Sequence, residues 1–181
     1  MAALIPIMGA VLLYGIASTD REVKYVRSTV DGRSYLVANR PDAASAANVL
    51  ASVRRDLETL VNDLAAANPG DAGYERLAQK FNPNAISEGT PGSGYTSYTV
   101  DKGARVVLCI RQSDWTFVPK NVVMYVALHE LAHIMTNSVG HTEEFWGKFE
   151  KLLKEARSRG IYVQQDFSKT PQPYCGINIT G

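Results

Sequence analysis

The sequence predicts an α+β fold in which an N-terminal transmembrane helix precedes one small domain of two β-hairpins and several helices. Three observations lead to this prediction. Short turn sequences separate two pairs of β-prone runs, apolar residues recur at helical spacing in longer stretches, and residues 1–19 carry no charge. A chain of 181 residues, 45% of them hydrophobic, can form a single domain with a sizeable core.

Residues 1–19 are the predicted membrane anchor, and residues 20–181 the folded domain. As a helix the uncharged run would be about 28 Å long, close to the thickness of a bilayer core. No basic residue precedes the run, which argues against a secretory signal. A signal peptide and a buried core segment remain alternatives. Arg21, Lys24 and Arg27 follow the run, so the expected localisation is membrane-anchored with the main domain on the cytoplasmic side.

Two hairpins are predicted from β-prone runs on either side of turn residues. Runs 23–30 and 33–38 flank an Asp-Gly pair that is typical of a type I′ turn. Runs 96–100 and 104–111 form the second hairpin, and together the two hairpins are expected to make one small sheet. The last of these runs is apolar on both faces, which suits a central strand and leaves 96–100 as the edge strand.

Helices are predicted where apolar residues recur three and four positions apart: 43–66, 72–81, 121–136, and a fourth helix capped by Thr142 and ended by Gly160. Residues 82–95 contain two prolines and three glycines and are predicted to be a loop. The C-terminal tail is expected to be extended and packed on the domain. Cys109 and Cys175 leave two alternatives open, a buried inert thiol at Cys109 or one bridge between the tail and the sheet.

The most informative motif is His129-Glu130-x-x-His133, followed by Gly140 and His141. On a helix, two histidines four residues apart lie on the same face, and a glutamate between them can act on a water held by a metal. Three imidazoles with an open fourth position are typical of catalytic zinc. The predicted ligands of Zn²⁺ are therefore these three histidines, which are all the histidines of the chain. One alternative is three unrelated histidines with Glu130 in a surface ion pair. Another is that His141 alone is no ligand but a helix-capping residue beside Thr142.

This site predicts hydrolysis of a peptide bond by a metal-bound water, with Glu130 as the general base. Tyr125, Tyr162 and Tyr174 are candidate donors to the oxyanion, and nothing in the sequence selects among them. The edge strand 96–100 could pair with an extended substrate. A net charge of +1 without a basic stripe gives no reason to expect nucleic acid, so the expected partner is a protein or peptide substrate.

The motif and the Gly140-His141-x-x-x-Phe145-Trp146 stretch after it resemble the small zinc-peptidase cores of the WLM and SprT-like families. Over residues 20–181 the chain is also similar to membrane-anchored metallopeptidases encoded by large nucleocytoplasmic DNA viruses of algae and amoebae. Three segments carry that likeness besides the motif: 86–91, 95–98 and 174–177. The resemblance implies a zincin-like domain, the three histidines as ligands and the glutamate as base.

Two functions follow as expectations. The first is a membrane-anchored, zinc-dependent metallopeptidase. The second is a virion structural protein, as a minor capsid or internal-membrane component, that keeps the metallopeptidase fold and contacts capsid proteins. The intact Glu130 favours the enzyme, because a scaffold needs no general base, whereas the anchor favours the scaffold. The two functions are not exclusive.

Overall fold

The computed structural model describes residues 22–89 and 96–180, and within these residues the fold is α+β as predicted. The helices are α1 (Ala43–Ala67), α2 (Ala72–Lys80), α3 (Lys120–Met135) and α4 (Glu143–Ser158). The strands are β1 (Val23–Arg27), β2 (Ser34–Ala38), β3 (Ile86–Glu88), β4 (Tyr98–Val100), β5 (Arg105–Leu108), β6 (Gln172–Tyr174) and β7 (Ile177–Ile179).

The described fold corrects the prediction of a transmembrane helix. Among the described residues, none of the helices is both long enough and apolar enough to cross a membrane. Residues 1–19, on which the prediction was based, lie outside the described residues. The predicted membrane-anchored localisation was based on that helix, so it is not supported either. An uncharged run has the composition of a spanning helix, but composition alone does not establish one.

Helix α3 is the centre of the domain. Its sequence is apolar on nearly all sides, and a helix of this kind is stable only when other elements surround it. It packs against α1 and α2, against α4, and against the strands β4 and β5. The side of α3 that faces β4 and the start of α4 carries His129, Glu130 and His133.

Both predicted hairpins are present, but they belong to separate sheets. Strands β1 and β2 pair antiparallel from Val23 opposite Ala38 to Arg27 opposite Ser34. Their six-residue connection has a positive φ at Gly32 but not at Asp31, so the predicted type I′ turn is wrong. A second sheet has the order β3-β5-β4, with β5 central and β4 at the edge, as predicted.

Strand β3 corrects the prediction that residues 82–95 are a loop throughout. Ile86–Glu88 pairs in parallel with β5, and Ile86 and Glu88 are buried. The prolines and glycines of this stretch lie on either side of the three strand residues, which is why composition alone did not reveal the strand. Residues 90–95 lie outside the described residues.

A buried guanidinium group joins the separate elements. Arg111, which is 0% exposed, donates from Nε to Glu88 Oε1 at 2.7 Å, and from both Nη atoms to the Asp42 carboxylate at 2.7 and 2.9 Å. The other oxygen of Glu88 accepts the backbone N–H of Ala38 at 2.8 Å. One ion-pair network therefore connects the end of β5 to β3, to the end of β2 and to the start of α1.

The C-terminal tail forms a hairpin rather than a simple extended segment. Strands β6 and β7 are joined by Cys175 and Gly176, which both have positive φ as a type I′ turn requires. Cys175 forms a disulfide with Cys109, with 6.3 Å between the Cα atoms. The bridge left open by the sequence is therefore present, and it attaches this hairpin to the end of β5.

Replacing Arg111 by Met should lower the free energy of unfolding by about 3–5 kcal/mol, because it leaves the buried carboxylate of Glu88 without its cation. Urea denaturation measures the change. Lys169→Met is the control, since it breaks an exposed pair with Asp166 and should cost less than about 1 kcal/mol. Similar small losses for both variants would contradict a structural role for the Arg111 network.

Replacing both Cys109 and Cys175 by Ala should lower the free energy of unfolding by about 4 kcal/mol. This is the loop-closure entropy expected for a bridge between residues 66 positions apart. A reductant should destabilise the wild-type protein and leave the double variant unchanged. A variant as stable as the oxidised wild-type protein would show that the bridge does not stabilise the fold.

Candidate metal centre

The three predicted ligands converge at one point. His129 and His133 lie one turn apart on α3, and His141 follows the helix in the loop before α4. Gly140 lies just before His141 and has a φ of +85°, a left-handed backbone that glycine adopts readily. The Nε2 atom of His129 lies 3.2 Å from that of His133 and 3.0 Å from that of His141.

This arrangement fits a metal ion. Two ligand nitrogens that each lie 2.0–2.1 Å from a tetrahedral zinc are separated by roughly 3.3 Å. The two Nε2 separations, 3.0 and 3.2 Å, are close to that value, and all three imidazoles offer ligand atoms within 4.8 Å of one another. A set of three nitrogen donors favours zinc over magnesium or calcium, which prefer oxygen. The geometry therefore agrees with the predicted ligand set, whose role in binding stays a prediction.

One phenylalanine orients all three rings. Phe145, in the first turn of α4, has its ring centroid 4.7 Å from that of His129, 4.4 Å from that of His133 and 4.8 Å from that of His141. It is held in place by the start of α4, where the Thr142 hydroxyl accepts the N–H of Phe145 at 3.3 Å. The position of the third ligand thus depends on how α4 packs on α3.

The imidazoles on α3 are neutral at physiological pH. Burial, which disfavours the charged form, lowers the pKa of His129 to about 3, and repulsion by His133 and His141 contributes further. Burial also lowers the pKa of His133 to about 4, with smaller contributions from His141 and Lys102. A neutral imidazole is the form that binds a metal, so these ligands need not lose a proton at pH 7.

Glu130 is almost fully enclosed at the side of the cluster. Its side chain is 4% exposed, and burial raises the pKa of its carboxyl group to about 7, opposed by a hydrogen bond from the backbone N–H of Thr99. Because Thr99 lies in the edge strand β4, this bond also fixes the carboxylate relative to that strand. The structure therefore places the predicted base between α3 and the sheet edge.

The cluster opens into a cleft of about 760 Å³. One wall is β4 with the preceding residues from Thr96, a second is α3 with the start of α4, and the C-terminal hairpin forms the third. Trp146 in the first turn of α4 is 44% exposed and lies beside the ring of His141. Its position in the cleft rather than in the core makes it available to a ligand.

Three residues of the site could not be selected from the sequence alone. Tyr174 lines the cleft and its hydroxyl bonds to that of Ser97 at 2.6 Å, although the two residues are 77 positions apart. Lys102 donates to three backbone carbonyls at and beyond the carboxyl end of α3, at 2.8 to 3.3 Å. These contacts join segments that are distant in sequence, so no local pattern indicates them.

Comparisons with known proteins agree with this geometry. The model of the WLM domain family matches residues 79–178, a range that contains the metal cluster and most of the cleft. An uncharacterised protein of Acanthamoeba polyphaga mimivirus is 34% identical over 184 residues, which cover 99% of this chain and 93% of the relative. An uncharacterised protein of Invertebrate iridescent virus 6 is 34% identical over 89 residues, 48% of this chain and 49% of the relative.

A solved structure shares the fold. The crystal structure of a Wss1 mutant from Saccharomyces cerevisiae superposes with a TM-score of 0.52 at 19% identity, covering 68% of this chain and 90% of that one. The predicted resemblance to WLM cores and to proteins of large DNA viruses is thereby confirmed. The chain belongs to the WLM domain family and has its zinc metallopeptidase-like fold.

Proposed function

We propose that this protein is a zinc-dependent metallopeptidase that hydrolyses peptide bonds, with three histidine ligands and Glu130 as general base. The observation that carries the proposal is the convergence of three Nε2 atoms beside a buried carboxylate, in the wall of an open cleft. Membership of the WLM family supports it. A perturbed carboxyl group next to a set of metal ligands is typical of a reactive site rather than of a structural one.

Each residue of the cluster has a defined task. His129, His133 and His141 would hold the ion. When bound, the metal supplies Lewis acidity, which polarises the scissile carbonyl group and lowers the pKa of the attacking water. Glu130 takes a proton from that water and later passes it to the leaving nitrogen. The N–H of Thr99 keeps the carboxylate directed at the same place through both transfers.

The proposed substrate is a protein or peptide segment in extended conformation, lying along β4. This strand is the edge of its sheet, and Tyr98 and Val100 pair with β5 on either side of Thr99. Because the N–H of Thr99 points to Glu130, away from β5, its carbonyl points to the same side and faces the cleft. This carbonyl can therefore accept an N–H of an extended substrate that lies along β4, next to the metal cluster.

The alternative, a virion structural protein that keeps this fold, stays a prediction. Relatives from large DNA viruses are consistent with it. The cluster favours the enzyme, because the buried carboxylate of Glu130 is costly to desolvate and a scaffold has no use for it.

The purified protein should bind one zinc ion per chain, and bound zinc should raise its melting temperature. Zinc at about 100 times its dissociation constant stabilises a protein by about 2.7 kcal/mol. His133→Ala should weaken binding by more than about 100-fold, since it removes a ligand rather than an outer hydrogen-bond partner. Elemental mass spectrometry and differential scanning calorimetry measure both effects.

Asp101→Asn is the matched control for the metal. Asp101 lines the same cleft with a positive φ that asparagine also adopts, and it lies outside the imidazole cluster. This variant should keep one zinc per chain. A wild-type protein with its three histidines intact and less than one zinc per chain would exclude the proposed site.

Glu130→Gln should keep the fold and the zinc content but lower the rate of peptide cleavage by about 10²–10⁴-fold, the contribution of a general base. Its free energy of unfolding should be unchanged or higher, because the amide carries no charge that burial disfavours. The assay follows cleavage of a fluorescently labelled unfolded protein. Glu143→Gln, at an exposed position of α4, should cleave normally. Equal cleavage by both variants would remove Glu130 from its role.

A further inference from the structure

Tyr174 has a buried hydroxyl group at the wall of the cleft. Its side chain is 1% exposed, yet the residue lines the cleft together with Ser97. The two hydroxyl oxygens are 2.6 Å apart and share one hydrogen bond. Among the three tyrosines considered from the sequence, Tyr162 lies outside the cleft lining, and its hydroxyl accepts the N–H of Gln165 at 3.3 Å.

The two hydroxyl groups have one more proton than their mutual hydrogen bond uses. Ser97 Oγ accepts the backbone N–H of Cys109 at 3.0 Å. The pair has two hydroxyl protons, and the bond between the oxygens uses only one of them, whichever residue donates it. Within residues 22–89 and 96–180 the second proton has no acceptor, and Ser97 and Tyr174 both line the cleft. A donor in such a place has either water or a substrate oxygen as its partner.

The hydroxyl group is held in place from several directions. Gln112 donates from Nε2 to the carbonyl of Pro173 at 2.7 Å and accepts the N–H of Cys175 at 3.2 Å, so both neighbours of Tyr174 are fixed by one side chain. The disulfide to Cys109 adds a covalent attachment at the next residue. A donor fixed in this way loses little energy to reorganisation when charge develops on its acceptor.

The surroundings keep the group protonated. Burial raises the pKa of Tyr174, opposed by its hydrogen bond with Ser97, so the phenol stays a donor at neutral pH. Tyr174 and Glu130 both line this cleft, together with the three histidines. A substrate carbonyl attacked there would develop its negative charge close to the spare donor.

We propose that the Ser97–Tyr174 hydroxyl pair donates a hydrogen bond to the scissile carbonyl oxygen as that oxygen becomes an anion, which makes Tyr174 a catalytic residue. This inference rests on the proposed peptidase function. In the step, water oxygen bonds to the carbonyl carbon, its proton goes to Glu130, and the carbonyl π electrons move to the oxygen. The pair stabilises that oxygen without transferring a proton. Collapse reforms the carbonyl and breaks the C–N bond, and Glu130 gives its proton to the nitrogen.

Tyr174→Phe tests this role, because it removes one oxygen and leaves the ring, the hairpin and the disulfide. With the zinc-loaded full chain, kcat should fall by about 10²-fold while KM stays within about threefold, as expected for loss of a transition-state donor. Zinc content should not change. Tyr162→Phe, which removes a buried hydroxyl outside the cleft, should keep the wild-type kcat. An unchanged kcat in Tyr174→Phe overturns the proposal.

A second measurement does not depend on turnover. A phosphinic peptide carries tetrahedral, anionic oxygens at the position of the scissile carbonyl, and calorimetry should show it binding at least about 10-fold more weakly to Tyr174→Phe than to wild type. A purely structural role would lower the melting temperature and leave this affinity unchanged, which overturns the proposal. If Tyr174→Phe does not melt cooperatively, Ser97→Ala tests the role of the hydroxyl pair instead. Its kcat should fall by about 10-fold, and an unchanged kcat overturns the proposal.

Glu130→Gln, run in parallel, separates the two proposals. An inactive Glu130→Gln beside a fully active Tyr174→Phe overturns the role of the hydroxyl pair and leaves the peptidase function standing. A wild-type protein that binds neither zinc nor the phosphinic peptide overturns both.

Discussion

The buried ion pair between Arg111 and Glu88 holds together parts of the fold that are not paired in one β-sheet. Strands β2 and β3 lie in different sheets, and the Glu88 carboxylate joins them by accepting the N–H of Ala38 and the guanidinium of Arg111 at once. The same guanidinium binds Asp42 at the start of α1. A carboxylate in such a place is unfavourable without a cation, so the pair keeps these elements in one arrangement.

The metal cluster depends on that arrangement through the central helix. Strand β5 packs against α3, which carries two of the three imidazoles, and α4 packs on the other side and brings Phe145 against all of them. His141 lies in the loop between the two helices, after the turn at Gly140, so its distance to His129 also depends on how α4 packs on α3. Helix packing therefore creates the geometry that a tetrahedral ion requires, while the motif supplies only two neighbouring rings.

Desolvation shifts the pKa values of the histidines and of Glu130 in opposite directions. It lowers the pKa values of His129 and His133, which keeps them neutral, and raises the pKa of Glu130 to about 7. Both shifts arise because a poorly hydrated environment disfavours charge of either sign. One physical condition thus prepares neutral ligands and a carboxyl group suited to moving protons near neutral pH.

Much of the candidate site could be predicted from the sequence, because its central signal is local. The spacing of His129, Glu130 and His133 on a helix, and a glycine before His141, follow from helical periodicity and backbone freedom. The four helices and the first two hairpins follow from the same short-range rules. Strand β3 does not, since three residues between prolines and glycines form a strand only when β5 is beside them. The opposite happened with the uncharged N-terminal run: its composition suggested a transmembrane helix, and the described residues include no such helix.

By itself, then, the sequence determined which residues could hold a metal and on which elements they lie, because those relations span at most a few helical turns. Only the tertiary structure decided that Cys109 and Cys175 are bonded, that Tyr174 meets Ser97, and that Trp146 faces the cleft. These contacts join segments tens of residues apart or depend on which side of a helix the core covers. Their positions are set by packing of the whole domain, which no local pattern of residues specifies.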